Sequence, residues 1–114
     1  MKREGTVMME QQNQAKLCDK FVATFDILGR KWNGLIIESL LLAGPQRFKD
    51  LATRVEACSD RVLVERLKEL ERANILERKV GLESSRAIYQ LTQRGEAMRP
   101  VMRSIHEWAD EYNH

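Results

Sequence analysis

Leu17, Phe21, Phe25 and Leu28 recur at intervals of four, four and three residues. Such intervals keep side chains on one face of an α-helix, so the spacing predicts an amphipathic helix from Ala15 to Leu28. Gly29 follows, a residue that takes the left-handed conformation ending many helices. Trp32 to Ala43 is apolar nearly all round, through Leu35, Ile36, Ile37, Leu40 and Leu41, which predicts a central buried helix. Gly44-Pro45 stops it. Arg47-Phe48 reads as a very short extended piece. A third helix, Asp50 to Glu56, offers Leu51 and Val55 to a core.

Ala57-Cys58 makes a brief turn, and Ser59 then stands where an N-cap belongs. The helix it opens runs to Ala73 with Leu63, Leu67 and Leu70 inward, and Asn74 is a left-handed terminator. The hydrophobic period then changes from about 3.6 to 2. Ile75–Val80 and Arg86–Leu91 read as two strands joined by the turn residues Gly81-Leu82-Glu83-Ser84-Ser85. Thr92 caps a last helix, in which Met98, Val101, Ile105, Trp108 and Tyr112 recur at three, four, three and four. That is the interval of a helix–helix seam. Pro100 inside it should kink the helix or shift its start.

A short helix, a tight turn and a longer helix make a helix-turn-helix, and a hairpin directly after the second helix makes it winged. The expected fold is mainly α with a small β-hairpin wing, dimerising through its terminal helices. Residues 1–14 read as a flexible tail and 15–114 as the domain. A seam on the last helix can simply close a monomer's core. Here other helices already supply a core, so the seam is assigned to a second copy. Leu17, Phe21, Val101, Ile105, Trp108 and Tyr112 would line that interface.

The order of elements points to DNA. The major groove admits one helix, and phosphates flank it. Ser59, Arg61, Val64, Glu65, Lys68 and Arg72 occupy outward or flanking positions of the Ser59–Ala73 helix. Arg61 lies near the N-terminal end, where base edges are reached. Ser59, Lys68 and Arg72 suit phosphates. On the hairpin, Arg78 and Lys79 alternate faces, so both cannot meet DNA; Lys79 and Arg86 are the assigned wing contacts. A solvated helix would carry a similar charge pattern. Glu65, Glu69 and Glu71 interleave with the bases, and a Glu65–Glu69 pair is not attractive.

Composition narrows the alternatives. The 114 residues suffice for one domain, and 43% hydrophobic with 32% charged residues suits a soluble chain. A net charge of +2 neither requires nor excludes nucleic acid. The apolar run Leu35–Ala43 contains Glu38 and is too short to span a bilayer. The polar N-terminus lacks a signal core, so the chain reads as cytoplasmic with no membrane partner. Cys18 and Cys58 form no metal spacing, and His106 and His114 are isolated, so no metal or other cofactor is expected. Nor is there a nucleophile–base set or a phosphate-cradling glycine loop, and an enzyme is not expected.

Five segments resemble a known family: LGRKW (Leu28–Trp32), GPQRFKDL (Gly44–Leu51), VLVERLKELERANILER (Val62–Arg78), IYQLTQRGE (Ile88–Glu96) and HEWADEY (His106–Tyr112). In that order they resemble the HxlR-type winged-helix regulators, relatives of MarR. The resemblance implies a homodimer on a palindromic double-stranded operator, with Ser59–Ala73 as recognition helix and 76–91 as wing. Val64 stands where the family usually has Thr or Ser, which removes one hydroxyl from the DNA face.

LGRKWNGLII and HEWADEY are similar in particular to the YodB-like repressors, which sense quinones, diamide and other thiol-reactive compounds. Their sensing cysteine precedes the first helix, fourteen residues before the Trp of the LG..W motif. Cys18 has that separation from Trp32. By resemblance, Cys18 is the redox-sensing residue. Lys16 and Lys20 beside it favour thiolate, and Asp19 opposes it. Cys58, just before the recognition helix, is a second redox candidate: a disulfide between Cys18 and the partner's Cys58 would tie dimer geometry to helix position. An inert, half-buried Cys18 is the plainer reading. Two further functions stay open: a non-covalent small-molecule effector, and a winged-helix module used for protein contact.

Overall fold

The computed structural model describes residues 16–81 and 86–114. Along them run α1 (Asp19–Leu28), α2 (Asn33–Ala43), β1 (Gln46–Arg47), α3 (Phe48–Arg54) and α4 (Asp60–Arg72). β2 (Leu76–Val80), β3 (Ala87–Leu91), α5 (Gln93–Glu96) and α6 (Arg99–Tyr112) follow. The expected tail, the expected helix start at Ala15 and the wing tip at 82–85 lie outside the described residues.

Leu63, Leu67 and Leu70 of α4 pack inward with Ile36, Ile37 and Leu40 of α2, Leu51 of α3, and Ile75 and Leu76 at the start of the wing. The three-turn leucine stripe therefore fills the place its spacing predicts. α2 departs from expectation. Its inner face is fully buried, but Leu35 and Leu42 are 55% and 71% exposed. An all-round apolar helix here has one face on the core and another on the surface of the single chain.

The sheet has three strands, not two, in the antiparallel order β1-β3-β2. Gln46 and Arg47 pair with Tyr89 and Ile88. Gln46 is buried, and its Nε2 donates to the Ser39 carbonyl at 2.9 Å, which holds β1 against the end of α2. Two residues carry no readable period, so sequence pattern alone gives only a vague extended piece. The extended Arg47 then caps α3, which starts at Phe48, two residues before the expected Asp50.

The expected last helix is two helices. Pro100 sits in the first turn of α6, where its missing N–H has no helical partner to lose. Thr92 caps the short α5: its Oγ1 accepts from the Gly95 N–H at 3.1 Å and donates to the Asn74 carbonyl at 2.7 Å. Gly95 is buried against the backbone of Ile75, and a Cβ there would overlap the Ile75 carbonyl oxygen. Backbone cannot rotate away as a side chain can. Gly95→Ala should therefore destabilise the fold by about 2–3 kcal/mol, at the upper end of overpacking costs. Thermal unfolding of the variant checks this; an unchanged midpoint would show that α5 shifts freely.

Candidate DNA-binding face and thiol site

α4 presents three distinct sides. The leucine stripe is buried. Ser59, Arg61, Glu65, Lys68 and Arg72 are exposed on the opposite side, with Val64 at its edge. Ser59 caps the helix as expected, its Oγ accepting from the Val62 N–H at 3.2 Å. Its free first-turn amides suit a phosphate. Arg66 and Glu69 form the third side and face the turn between α1 and α2.

The wing supplies the other wall of a basic trough. Arg78 of β2 lines a groove with Val64, Lys68 and Glu71 of α4. It also lines an adjoining hollow with Arg47, Lys49 and Arg86. Strand neighbours point to opposite faces, so Lys79, the expected contact, lies on the side of β2 away from this trough. Arg78, not Lys79, holds the α4-facing position. Arg47 and Lys49, which line the same hollow, were not singled out from the sequence. They bracket the start of α3, and their signal was the Arg-x-Lys pair just ahead of the first helix of the helix-turn-helix.

The two thiols differ sharply. Cys18 is exposed and is the N-cap of α1, with no side-chain capping bond of its own. Leu17, expected inside the helix, precedes it. Cys58 is 4% exposed, and its S–H points at the Ser59 carbonyl, 3.5 Å away. Burial pushes the Cys58 thiol up, and the charge of Arg66 offsets this only in part. A buried neutral thiol is a poor nucleophile.

An apolar surface begins beside Cys18. Phe21 and Phe25 of α1 lie with ring centres 5.0 Å apart, and Trp108 and Tyr112 of α6 with theirs 5.5 Å apart. All four are more than half exposed, as are Leu17 and Ile105, while Val101 is slightly less so. Phe21, Phe25, Leu35, Ile105 and Trp108 line one groove between α1, α2 and α6. Among the described residues there is no group of three or more metal-ligating side chains, and no helix is long and apolar enough to cross a membrane.

A helix-turn-helix whose second helix shares a trough with a β-wing defines the winged-helix fold of transcriptional regulators. The chain matches the HxlR-like helix-turn-helix family over residues 27–114 and belongs to it. It is 42% identical over 97 residues to the HTH-type transcriptional regulator YodB of Bacillus subtilis, covering 84% of this chain and 86% of YodB. The crystal structure of quinone-bound YodB superposes with a TM-score of 0.75, covering 84% of this chain and all of that one. The redox regulator HypR in its reduced form is more distant: 26% identical, TM-score 0.73, covering 82% of this chain and 92% of HypR.

Proposed function

We propose that this regulator is a repressor that binds a palindromic operator as a homodimer and leaves it when a quinone or oxidant modifies Cys18. The observation that carries the reading is the position of the exposed thiol. Cys18 heads α1, the helix whose aromatic face lies open alongside that of α6. A second copy covering those faces would place the reactive sulfur at the rim of the subunit contact. Two α4 helices related by a twofold axis would then meet half-sites one DNA turn apart, or a multiple of it.

The chemistry needs only an electrophile. The Cys18 thiolate adds to a ring carbon of the quinone, forming a C–S bond. The displaced electron pair moves to a carbonyl oxygen, which takes up a proton. Loss of the ring proton and its return to the second oxygen leaves a hydroquinone thioether, with no further oxidant required. A disulfide to the partner's Cys58 would first require that buried thiol to leave its pocket, so the Cys18 adduct is the favoured product.

Intact mass and DNA mobility shift, measured on the same samples with and without benzoquinone, test the reading. One adduct on Cys18 with loss of the shifted band supports it. Fully adducted protein that still binds defeats it. A non-covalent effector is the second reading, supported by the apolar groove between α1, α2 and α6. Release of DNA by an aromatic acid from a protein lacking both thiols would select it.

The DNA face makes a separate prediction. Arg61→Ala should change sequence preference, by about 1–3 kcal/mol at the base pair it reads. Lys68→Ala should weaken selected and random duplexes alike and reduce the salt slope by about one. Affinity against salt for both duplexes distinguishes them; parallel losses for the two variants would contradict the assignment.

A further inference from the structure

The third side of α4 is bonded to the far end of the helix that Cys18 heads. Asn33 Nδ2 donates to the Ile27 carbonyl in the last turn of α1 at 2.9 Å, and to Glu69 Oε1 at 3.0 Å. Beside it, Arg66 Nε donates to the Lys31 carbonyl at 3.2 Å. The Arg30 guanidinium lies 3.8 Å from the Glu69 carboxylate. The bonds to Glu69 and from Arg66 join residues thirty-five or more positions apart in the chain.

Asn33 has an uneven set of bonds. Its side chain is fully buried, and its Oδ1 has no hydrogen-bond partner among the described residues. A buried acceptor without a partner is unfavourable, while the same side chain's amide nitrogen satisfies two acceptors that a leucine would leave without it. The preceding Trp32 adopts φ 83°, a left-handed conformation rare for a residue with a side chain. Strain of this kind persists only where surrounding bonds hold it. What the buried amide supplies is a two-way donor between α1 and the recognition helix.

We propose that Asn33 and Glu69 are positioning residues that carry a displacement of α1, caused by modification of Cys18, to the recognition helix. The inference rests on the thiol-switch reading. The Cys18 carbonyl accepts the Val22 N–H at 3.0 Å, so the residue's backbone belongs to the first turn of α1. The ten residues of α1 form a rod about 15 Å long. Motion at the sulfur end therefore reaches Ile27, and Asn33 hands it to Glu69. Because Glu69 flanks the exposed side of α4, a shift there re-aims Arg61 and Lys68 without touching the leucine stripe.

The test uses the full chain, 1,4-benzoquinone and a duplex selected from a random pool by the reduced protein. Glu69→Met removes the acceptor and the charge at similar length; Glu69→Gln keeps an acceptor. Fully adducted wild type and Glu69→Gln should lose about tenfold or more in affinity, while Glu69→Met, equally adducted, should lose less than about threefold. Affinities before treatment should agree within about threefold. A Glu69→Met protein released as strongly as wild type overturns the proposal. So does one that is merely less stable and binds less before treatment, with the treated-to-untreated ratio unchanged.

Fully adducted wild type that keeps its affinity defeats the thiol reading instead. Amide hydrogen exchange along α4 then decides the link by itself. The adduct should change α4 exchange in wild type and Glu69→Gln and leave it unchanged in Glu69→Met; equal responses in all three overturn the pair. Asn33→Leu, which fills the same space without donors, replaces Glu69→Met should that variant fail to fold.

Discussion

A protein carrying Ile105→Glu and Trp108→Glu is expected to be a monomer and to bind duplex DNA at least about a hundredfold more weakly than the parent. Both side chains are more than half exposed in the single chain, so charge there meets water and leaves the fold intact. In a dimer closed through α6, the same carboxylates would be buried against apolar surface without partners, which is strongly unfavourable. A monomer engages one half-site at a time. The avidity lost with the second is about 10²–10⁴. Sedimentation velocity and DNA affinity on the same preparation check both parts, with thermal unfolding as control. A variant still dimeric and still tightly bound would move the subunit contact away from α6.

Cys18→Ser should bind operator DNA as the parent does and remain bound in benzoquinone, where the parent loses about tenfold or more, equivalent to about 1.4 kcal/mol. Serine keeps the size and the N-cap position but is not a soft nucleophile. Cys58→Ala should leave the response in place, because the Cys58 thiol is buried and held protonated. A colour reagent for thiols should titrate one group per native chain and two after unfolding. Normal release of Cys18→Ser by quinone would remove Cys18 from the mechanism. Loss of response in Cys58→Ala alone would instead make that buried group the reactive one, exposed through opening of the turn before α4.

The features of α4, α1 and the wing differ in how far residue order alone reveals them. The leucine stripe of α4, its Ser59 cap and the following strands were readable because each depends on residues within a few positions. The winged order followed from them. The sensing role of Cys18 was an expectation from family resemblance, which its fourteen-residue separation from Trp32 matched. The N-cap location of Cys18 was less visible, since Leu17 and Phe21 share the four-residue interval although Leu17 lies outside α1. Interval alone does not say where a helix begins.

The wing contacts illustrate the other limit. Alternation established that Arg78 and Lys79 face opposite ways, but not which of them faces α4. That choice depends on how the sheet is laid against the helix, with Arg78 opposite Tyr89 and Lys79 opposite Ile88. The same holds for Arg47 and Lys49. They join the trough because β1 pairs with β3, a contact spanning about forty residues of chain.

The sequence by itself determined the leucine-striped α4, the strands β2 and β3, the two hydroxyl caps and the helix-turn-helix order, because backbone periodicity and capping act over one or two turns. Only the tertiary structure decided that Cys58 is sealed while Cys18 is open, that Arg78 lines the trough, and that Asn33 bridges α1 to α4. Burial and long-range hydrogen bonds depend on which surfaces meet after the chain has folded, and no local pattern of residues encodes that meeting directly.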